Sequence, residues 1–534
     1  MKKLLLHGAI TAALVLTGCN SQESSDDTSQ GGVTNSQDCE QEYFDTSVSI
    51  ALNNCISCHV SDGQASSTRL VLLSPLADNK VANYNSLKTY IQLSGSQLVE
   101  KGSGEVSHQG GAQLTGTAKA NVEEFVAYVK GTAQCISTAQ VTSLLNTSVA
   151  LLPASQTLRN ASYTIQGKAP SSDEVDSVNS IEDIDTKLDE YMQSEAFKDW
   201  LRLSFNDFLL TDFYTPGTNG ENLLNSTDFP QRRWWVDLYN VDGESAYRNL
   251  PYYTNYGISR EAIELIVHVI EEDRPFSEIL TADYVMVNPF SAKTYDINID
   301  GFTYVHEQNV TREYIEEKYP QDSFREAKID GIPHAGILTT ITFLNRFPST
   351  NTNLDRHRSA KTQLFFLDTD ILGLANRPIN SKEVLSDTAT WTNANCTVCH
   401  NVMEPISSAF KNWDNRGRYL PGFRGDATQA PGLSLENKAP TAASDNLLQW
   451  LAGKIVKDDR FAKSSVKIFY KALLGRDALR KPASDDIEYA DKLEAYHYED
   501  TVLEGIKEKF KASGLNAKVI IKEIIKSPLY RAVS

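Results

Sequence analysis

The sequence predicts a mainly α-helical protein in three consecutive parts: a small N-terminal helical domain, a helical middle region and a C-terminal helical domain. Three observations predict it. Apolar residues recur at helical spacing along most of the chain, as in Val122, Phe125 and Val129 or in Leu188, Met192, Ala196 and Trp200. Only "ADYVMVNPF" alternates like a strand, and it is short. A length of 534 residues exceeds what one hydrophobic core serves and points to two or three domains. With 41% hydrophobic residues, 23 Tyr and 20 Phe, general disorder is excluded. The formal charge of −18 argues against nucleic acid, which needs a basic footprint, and suits a neutral or basic protein partner.

Residues 1–19 read as an address. Lys2 and Lys3 give a positive start, and the apolar run from Leu4 to Leu16 is too short for a confident membrane span. It ends in Leu16-Thr17-Gly18-Cys19, which resembles the bacterial lipobox, so Cys19 is the expected lipidation site. An ordinary secretory signal with an incidental cysteine is the alternative. Residues 20–38 hold almost nothing to bury and read as a flexible tether, with an end-to-end distance of roughly 25 Å. The expected location is therefore the bacterial cell envelope, with a lipid anchor and a body facing the periplasm or the surface. Asn20 after the cysteine leans toward an outer membrane.

Residues 39–137 form the first expected domain. "YFDTSVSIALNNCISCH" supplies a helical approach with Val48, Ala51 and Leu52 on one side, and "TAKANVEEFVAYVKGTAQC" supplies a closing helix. Gly- and Ser-rich loops join them. Residues 138–345 carry no metal-ligand spacing. "SREAIELIVHVIEEDRPF" reads as a helix capped by Ser259 and ending before Pro275, and "YYTNYG" reads as a Tyr-rich loop. Met192 and Met286 read as core, and His268 as a boundary residue. Residues 346–534 open with a helix through "KTQLFFLDTDIL" and close with helices at 445–457, 460–474 and 516–527, while "KEKFKASGLNAK" reads as a solvated face.

The seven cysteines divide cleanly. Cys19 is taken by lipid, and Cys55/Cys58 with His59 and Cys396/Cys399 with His400 make two C-x-x-C-H pentapeptides, "CISCH" and "CTVCH". Cys39 and Cys135 are left to form a disulfide in an oxidising compartment, closing a loop worth about 4–5 kcal/mol in the chain-entropy model. In C-x-x-C-H both thiols add to the heme vinyl groups and the histidine lies under the iron. Chance supplies about 0.002 such motifs in a chain of this composition. Two covalently bound heme c groups are the expected cofactors. Zinc and a thiol redox pair are the rivals, but neither explains a histidine recurring at the same offset.

The helix–motif–loop–helix order of 39–137 resembles a class I cytochrome c. "NCTVCHNVMEPISSAFKNWDNRGRY" is similar to the heme segment of the planctomycete-type multidomain c-type cytochromes: C-x-x-C-H, a methionine three residues on, Asp-Pro, a small-residue helix and a Gly-Arg-Tyr turn. The resemblance continues in "EEDRPFSEILTADYVMVN", "GILTTITFLNRFPS", "DRFAKSSVKIFYKALLGR" and "KSPLYRAV", and so covers the chain from about residue 155 to the end. Glu404 stands where that family has Asp, and Ser407 and Ser408 replace its Gly-Phe pair. The resemblance implies architecture and heme carriage more than a particular reaction.

The opposite face of each iron is a separate question. No methionine lies in residues 20–191, and His108 in "KGSGEVSHQGGAQL" is the best local donor for the first heme. Its segment is similar to one that related N-terminal cytochrome domains carry, and bis-histidine ligation would give a low-potential centre. Met403 lies one helical turn past His400, on the same side, so packing against the heme is its plainer role. In a similar motif of the nitrite-reductase-associated quinol dehydrogenases, that methionine displaces the histidine as ligand. His334, His357 and His497 are further distal candidates, and Arg416 and Arg418 are candidate partners of the heme propionates. Three functions follow: a membrane-anchored diheme c-type cytochrome carrying electrons to or from a redox partner protein, a diheme oxidoreductase of peroxidase or oxygenase type with a reactive C-terminal heme, or a heme-based redox or ligand sensor.

Overall fold

A computed structural model describes residues 36–533 apart from 54, 57, 75, 77–78, 134, 136–149, 215–219, 239–247, 351–352, 354, 372–393, 423–430, 433–438, 440–445 and 483–486. Cys19, the leader and most of the tether lie outside the described residues, as does the side chain of Cys396. The chain is mainly α, with 57% of the described residues in helices and 3% in strands. No helix among the described residues is long and apolar enough to cross a membrane.

The N-terminal domain has its own core. Helix α1 (Ser36–Tyr43) runs on through a π-helical stretch, Phe44–Val48, into Ser49–Ala51. Then come α2 (Lys80–Ser94), α3 (Gln97–Gly102) and α4 (Gly116–Val129). Phe44, Val48, Leu52, Leu87, Val122 and Phe125 are all buried together. The first and last helices cross, with the Phe44 and Phe125 rings 5.9 Å apart and Asn121 Nδ2 donating to the Ser47 carbonyl at 3.3 Å. Cys39 and Cys135 form the disulfide that fastens the two ends.

In the middle region, α5 (Ala154–Gln166), α6 (Ile184–Tyr191) and α7 (Glu195–Leu209) precede the long α8 (Leu250–Glu271). The apolar rhythm from Leu188 to Trp200 crosses a break, where Ser194 Oγ accepts the Phe197 N–H at 3.2 Å and caps α7. Ser259 does not cap α8. That helix starts nine residues earlier and absorbs "YYTNYG", and Ser259 Oγ is buried on the Tyr256 carbonyl at 3.0 Å. Gly257 is the reason that the tyrosine run fits: a Cβ there would lie 2.3 Å from Asn288 Oδ1, so α8 packs directly on the next turn. β1 (Val285–Val287) pairs antiparallel with β2 (Arg325–Ala327). Met192 and Met286 are core residues, and His268 sits at the boundary with its Nε2 2.8 Å from Glu326.

The third region contains α9 (Arg356–Phe366), α10 (Ala394–Ala409), α11 (Leu447–Ile455), α12 (Asp459–Leu474), α13 (Tyr489–Ala512) and α14 (Ala517–Lys526). Helix α9 starts earlier than expected and stops at Phe366, because Asp368 takes a left-handed backbone (φ 45°). Helix α13 was not expected from the sequence. "KEKFKASGLNAK" is not simply a solvated face, since Phe510 is fully buried and Lys507, 5% exposed, donates to Asp459 at 2.6 Å. Leu158, Phe205, Leu265, Phe343, Ile406, Phe469 and Ile524 share one core, so the middle and C-terminal regions fold around each other. The chain end returns to residue 150, where Val533 N–H donates to the Ala150 carbonyl at 2.9 Å.

A polar knot seats the N-terminal domain on this body. Glu124 of α4, buried, accepts from Lys481, from His497 Nε2 at 2.9 Å, from Tyr43 at 2.7 Å and from Tyr128. Burial alone would raise its carboxyl, but His497 and Lys481 outweigh that and hold it well below the usual carboxylate range.

Candidate functional site

The first motif is a single tight turn. The Cys55 carbonyl accepts both the Cys58 N–H at 3.2 Å and the His59 N–H at 2.9 Å, which sets the imidazole just beyond the two thiols. The following loop folds back on it: Ala65 N–H donates to the Cys58 carbonyl, and Leu72 N–H to the His59 carbonyl at 2.7 Å. Only glycine fits at 63, where a Cβ would lie 2.2 Å from the Cys58 carbonyl oxygen. Neither Cys55 nor Cys58 is in a disulfide. Among the described residues no three His, Cys, Asp or Glu side chains converge as a bare cation site requires, Cys55, Cys58 and His59 included.

His59 Nδ1 is 2.9 Å from the Leu70 carbonyl. A carbonyl only accepts, so Nδ1 carries the proton and Nε2 is left with its lone pair, the tautomer of a metal-ligating histidine. His108 is built the same way, with Nδ1 3.4 Å from the Gly111 carbonyl. A turn closed by the Gly111 N–H on the His108 carbonyl at 2.9 Å shapes that loop, and Gly111 is left-handed (φ 67°). Gly110 gives the ring its room, since a Cβ there would lie 2.9 Å from His108 Cε1.

These two histidines, 49 positions apart in the sequence, face each other. Their ring centroids are 5.9 Å apart and their planes 19° from parallel. An offset ring pair has this spacing, and so does a second arrangement. Two imidazoles on opposite sides of one metal, with metal–nitrogen bonds of about 2 Å, place their centroids about 6 Å apart. The spacing is compatible with two imidazole ligands of a single iron, and Cys55 and Cys58 stand on the same turn as His59, as thioether attachment requires.

No family model, no curated protein and no solved structure matches this chain.

The second motif lies on α10, which spans Cys396, Cys399, His400, Met403 and Glu404. Pro405 inside the helix removes a backbone donor, and α9 supplies partners to the carbonyls beside it. Ser359 Oγ donates to the Met403 carbonyl at 2.7 Å and Gln363 Nε2 to the Val402 carbonyl at 2.8 Å. His400 Nδ1 lies 2.6 Å from Glu404 Oε1, one turn on, and Arg356 Nε donates to the same oxygen at 2.6 Å. Glu404 is 2% exposed. Burial pushes its carboxyl up, but the bonds from His400 and Arg356 prevail and hold it below the ordinary range. His400 is thus held at Nδ1 as His59 is, with Nε2 again left for a metal, and Cys399 and His400, the described side chains of the motif, are compatible with a second heme.

Met403 is buried on the same helix, three residues from His400. The three distal candidates have partners of their own. His334 is buried, its Nε2 accepts the Ile329 N–H at 3.1 Å, and burial lowers it to about 4. His497 belongs to the Glu124 knot. His357 lies edge-on to Phe347, with centroids 5.4 Å apart. Arg418 Nε donates to Asp414 at 2.6 Å, and Arg416 is exposed. Sequence reasoning missed Arg358, which is fully buried and donates to the carbonyls of Leu344, Phe347, Trp413 and Asp414, fastening the turn after α10. It also gave no role to Glu404, although a carboxylate four residues past a motif histidine on a helix was a readable signal.

Proposed function

We propose that this chain is a diheme c-type cytochrome, lipid-anchored in a bacterial cell envelope, that passes electrons to or from a redox partner protein. The observation that carries this reading is the His59–His108 pair, 5.9 Å apart and nearly parallel, each with Nδ1 on a backbone carbonyl. Bound heme c supplies a one-electron iron couple. Cys55 and Cys58 would hold one group and Cys396 and Cys399 the other, with His59 and His400 as proximal ligands. His108 would be the second protein ligand of the first group, and as imidazole rather than thioether it would favour a low potential. The Glu124 knot fixes that domain on the body that bears the second motif, so both centres move as one unit.

One observation favours a second reading, in which the C-terminal centre is reactive: His400 is backed by a buried carboxylate. Low-temperature EPR of the oxidised protein separates the two. Two low-spin signals support the carrier, and a high-spin signal that shifts with cyanide supports the reactive site. His108→Ala tests the first centre: its spectrum and potential are expected to change, and an unchanged centre would remove His108 from the ligand set.

A further inference from the structure

We infer that Glu404 is a positioning residue that draws on the Nδ1 proton of His400 and so makes this imidazole a stronger donor to iron than His59 is. The inference rests on reading both motifs as heme c sites.

The two proximal histidines differ in what holds them. His59 Nδ1 donates to a neutral peptide carbonyl at 2.9 Å, whereas His400 Nδ1 donates to a carboxylate at 2.6 Å. Hydrogen bonds to an ionised acceptor are shorter and about twice as strong as neutral ones. A carboxylate behind a ligating histidine fixes its orientation and raises its basicity. Glu404 is built for this use. It is 2% exposed, its Oε1 also receives the Arg356 guanidinium, and the His400–Glu404 spacing of one helical turn is rigid. The helix itself is pinned to α9 through the Met403 and Val402 carbonyls, so the ring cannot drift from its carboxylate.

The consequence is an asymmetry between the centres. A more basic axial ligand gives the iron more electron density and favours its oxidised state. For a given distal ligand, the C-terminal centre is thereby the harder of the two to reduce and the better suited to push electrons onto a bound oxidant.

The competing role for Glu404 is purely structural, as the Arg356 tie between α9 and α10. Glu404→Gln separates the two, because the amide carbonyl can still accept from both His400 and Arg356 but carries no charge. Spectroelectrochemistry of the full chain should show the C-terminal couple moving to higher potential while the N-terminal couple stays put, with altered g-values for the C-terminal ferric signal alone. A C-terminal couple that does not move, in protein carrying both hemes, would overturn the inference. Glu404→Asp, which keeps the charge and lengthens the contact, should give a smaller shift of the same sign and serves if the Gln variant does not fold. Failure of the heme reading itself would look different: wild-type protein whose intact mass lacks a covalent adduct at Cys396 and Cys399.

Discussion

Lys481→Met tests how the N-terminal domain is held. The Lys481 side chain is 2% exposed and its Glu124 partner 6%. Removing the ammonium leaves a buried carboxylate short of its strongest counter-charge, which typically costs about 3–5 kcal/mol. Glu124 keeps His497, Tyr43 and Tyr128, so the low end applies. A loss of about 3 kcal/mol multiplies the undocked population about 10²-fold. The assay is a denaturant double-mutant cycle with Glu124→Gln, supported by hydrogen exchange in α4 and α13. The two single variants should each be costly, and the double variant should cost much less than their sum. The depressed Glu124 carboxyl fixes the pH dependence: its contribution is fully present above the ordinary value of 4.5 and is lost as pH falls toward the folded value. A Lys481→Met cost under about 0.5 kcal/mol, or strict additivity, would refute the reasoning.

Two other expectations concern single sites. Gly110→Ala places a methyl against the His108 ring, and should convert part of the N-terminal centre from low-spin to high-spin; an unchanged EPR spectrum contradicts that geometry. Glu261, buried on α8 and bonded to Tyr295, is raised to about 8, chiefly by desolvation. Its folded value lies above the unfolded one, so its contribution is fully present below about pH 4.5 and is lost as pH rises through about 8, on the order of a few kcal/mol. Glu261→Gln cannot ionise, so its denaturation midpoint should fall less than the wild type's between pH 5 and 9, and parallel profiles would count against the assignment.

Much of this was legible in the sequence where signals are local. Helices α11, α12 and α14 follow from apolar periodicity, and the small N-terminal domain from the apolar stripes that flank its motif. The Cys39–Cys135 link follows from cysteine arithmetic. Helix α13 escaped because its buried apolar residues, Leu503, Ile506 and Phe510, cluster in its last half, while its first half is aromatic and charged. Its start was hidden for a physical reason: His497 is there to meet Tyr43 and Glu124 of the N-terminal domain, a contact no local pattern encodes. The start of α8 was missed because Tyr, Thr, Asn and Gly are poor helix formers, and tertiary packing on Asn288 overrides that preference. The Glu124–Lys481 pair, 357 positions apart, left no trace in the sequence at all.

Covalent iron porphyrin at both motifs is the claim on which the account depends. The most direct measurement combines intact mass with the pyridine hemochrome spectrum of the full chain, made in a host with heme-attachment machinery. Two thioether-linked hemes per chain are predicted, falling to one when Cys55 and Cys58, or Cys396 and Cys399, are replaced by alanine. A colourless protein whose four motif thiols react freely or hold zinc would contradict it.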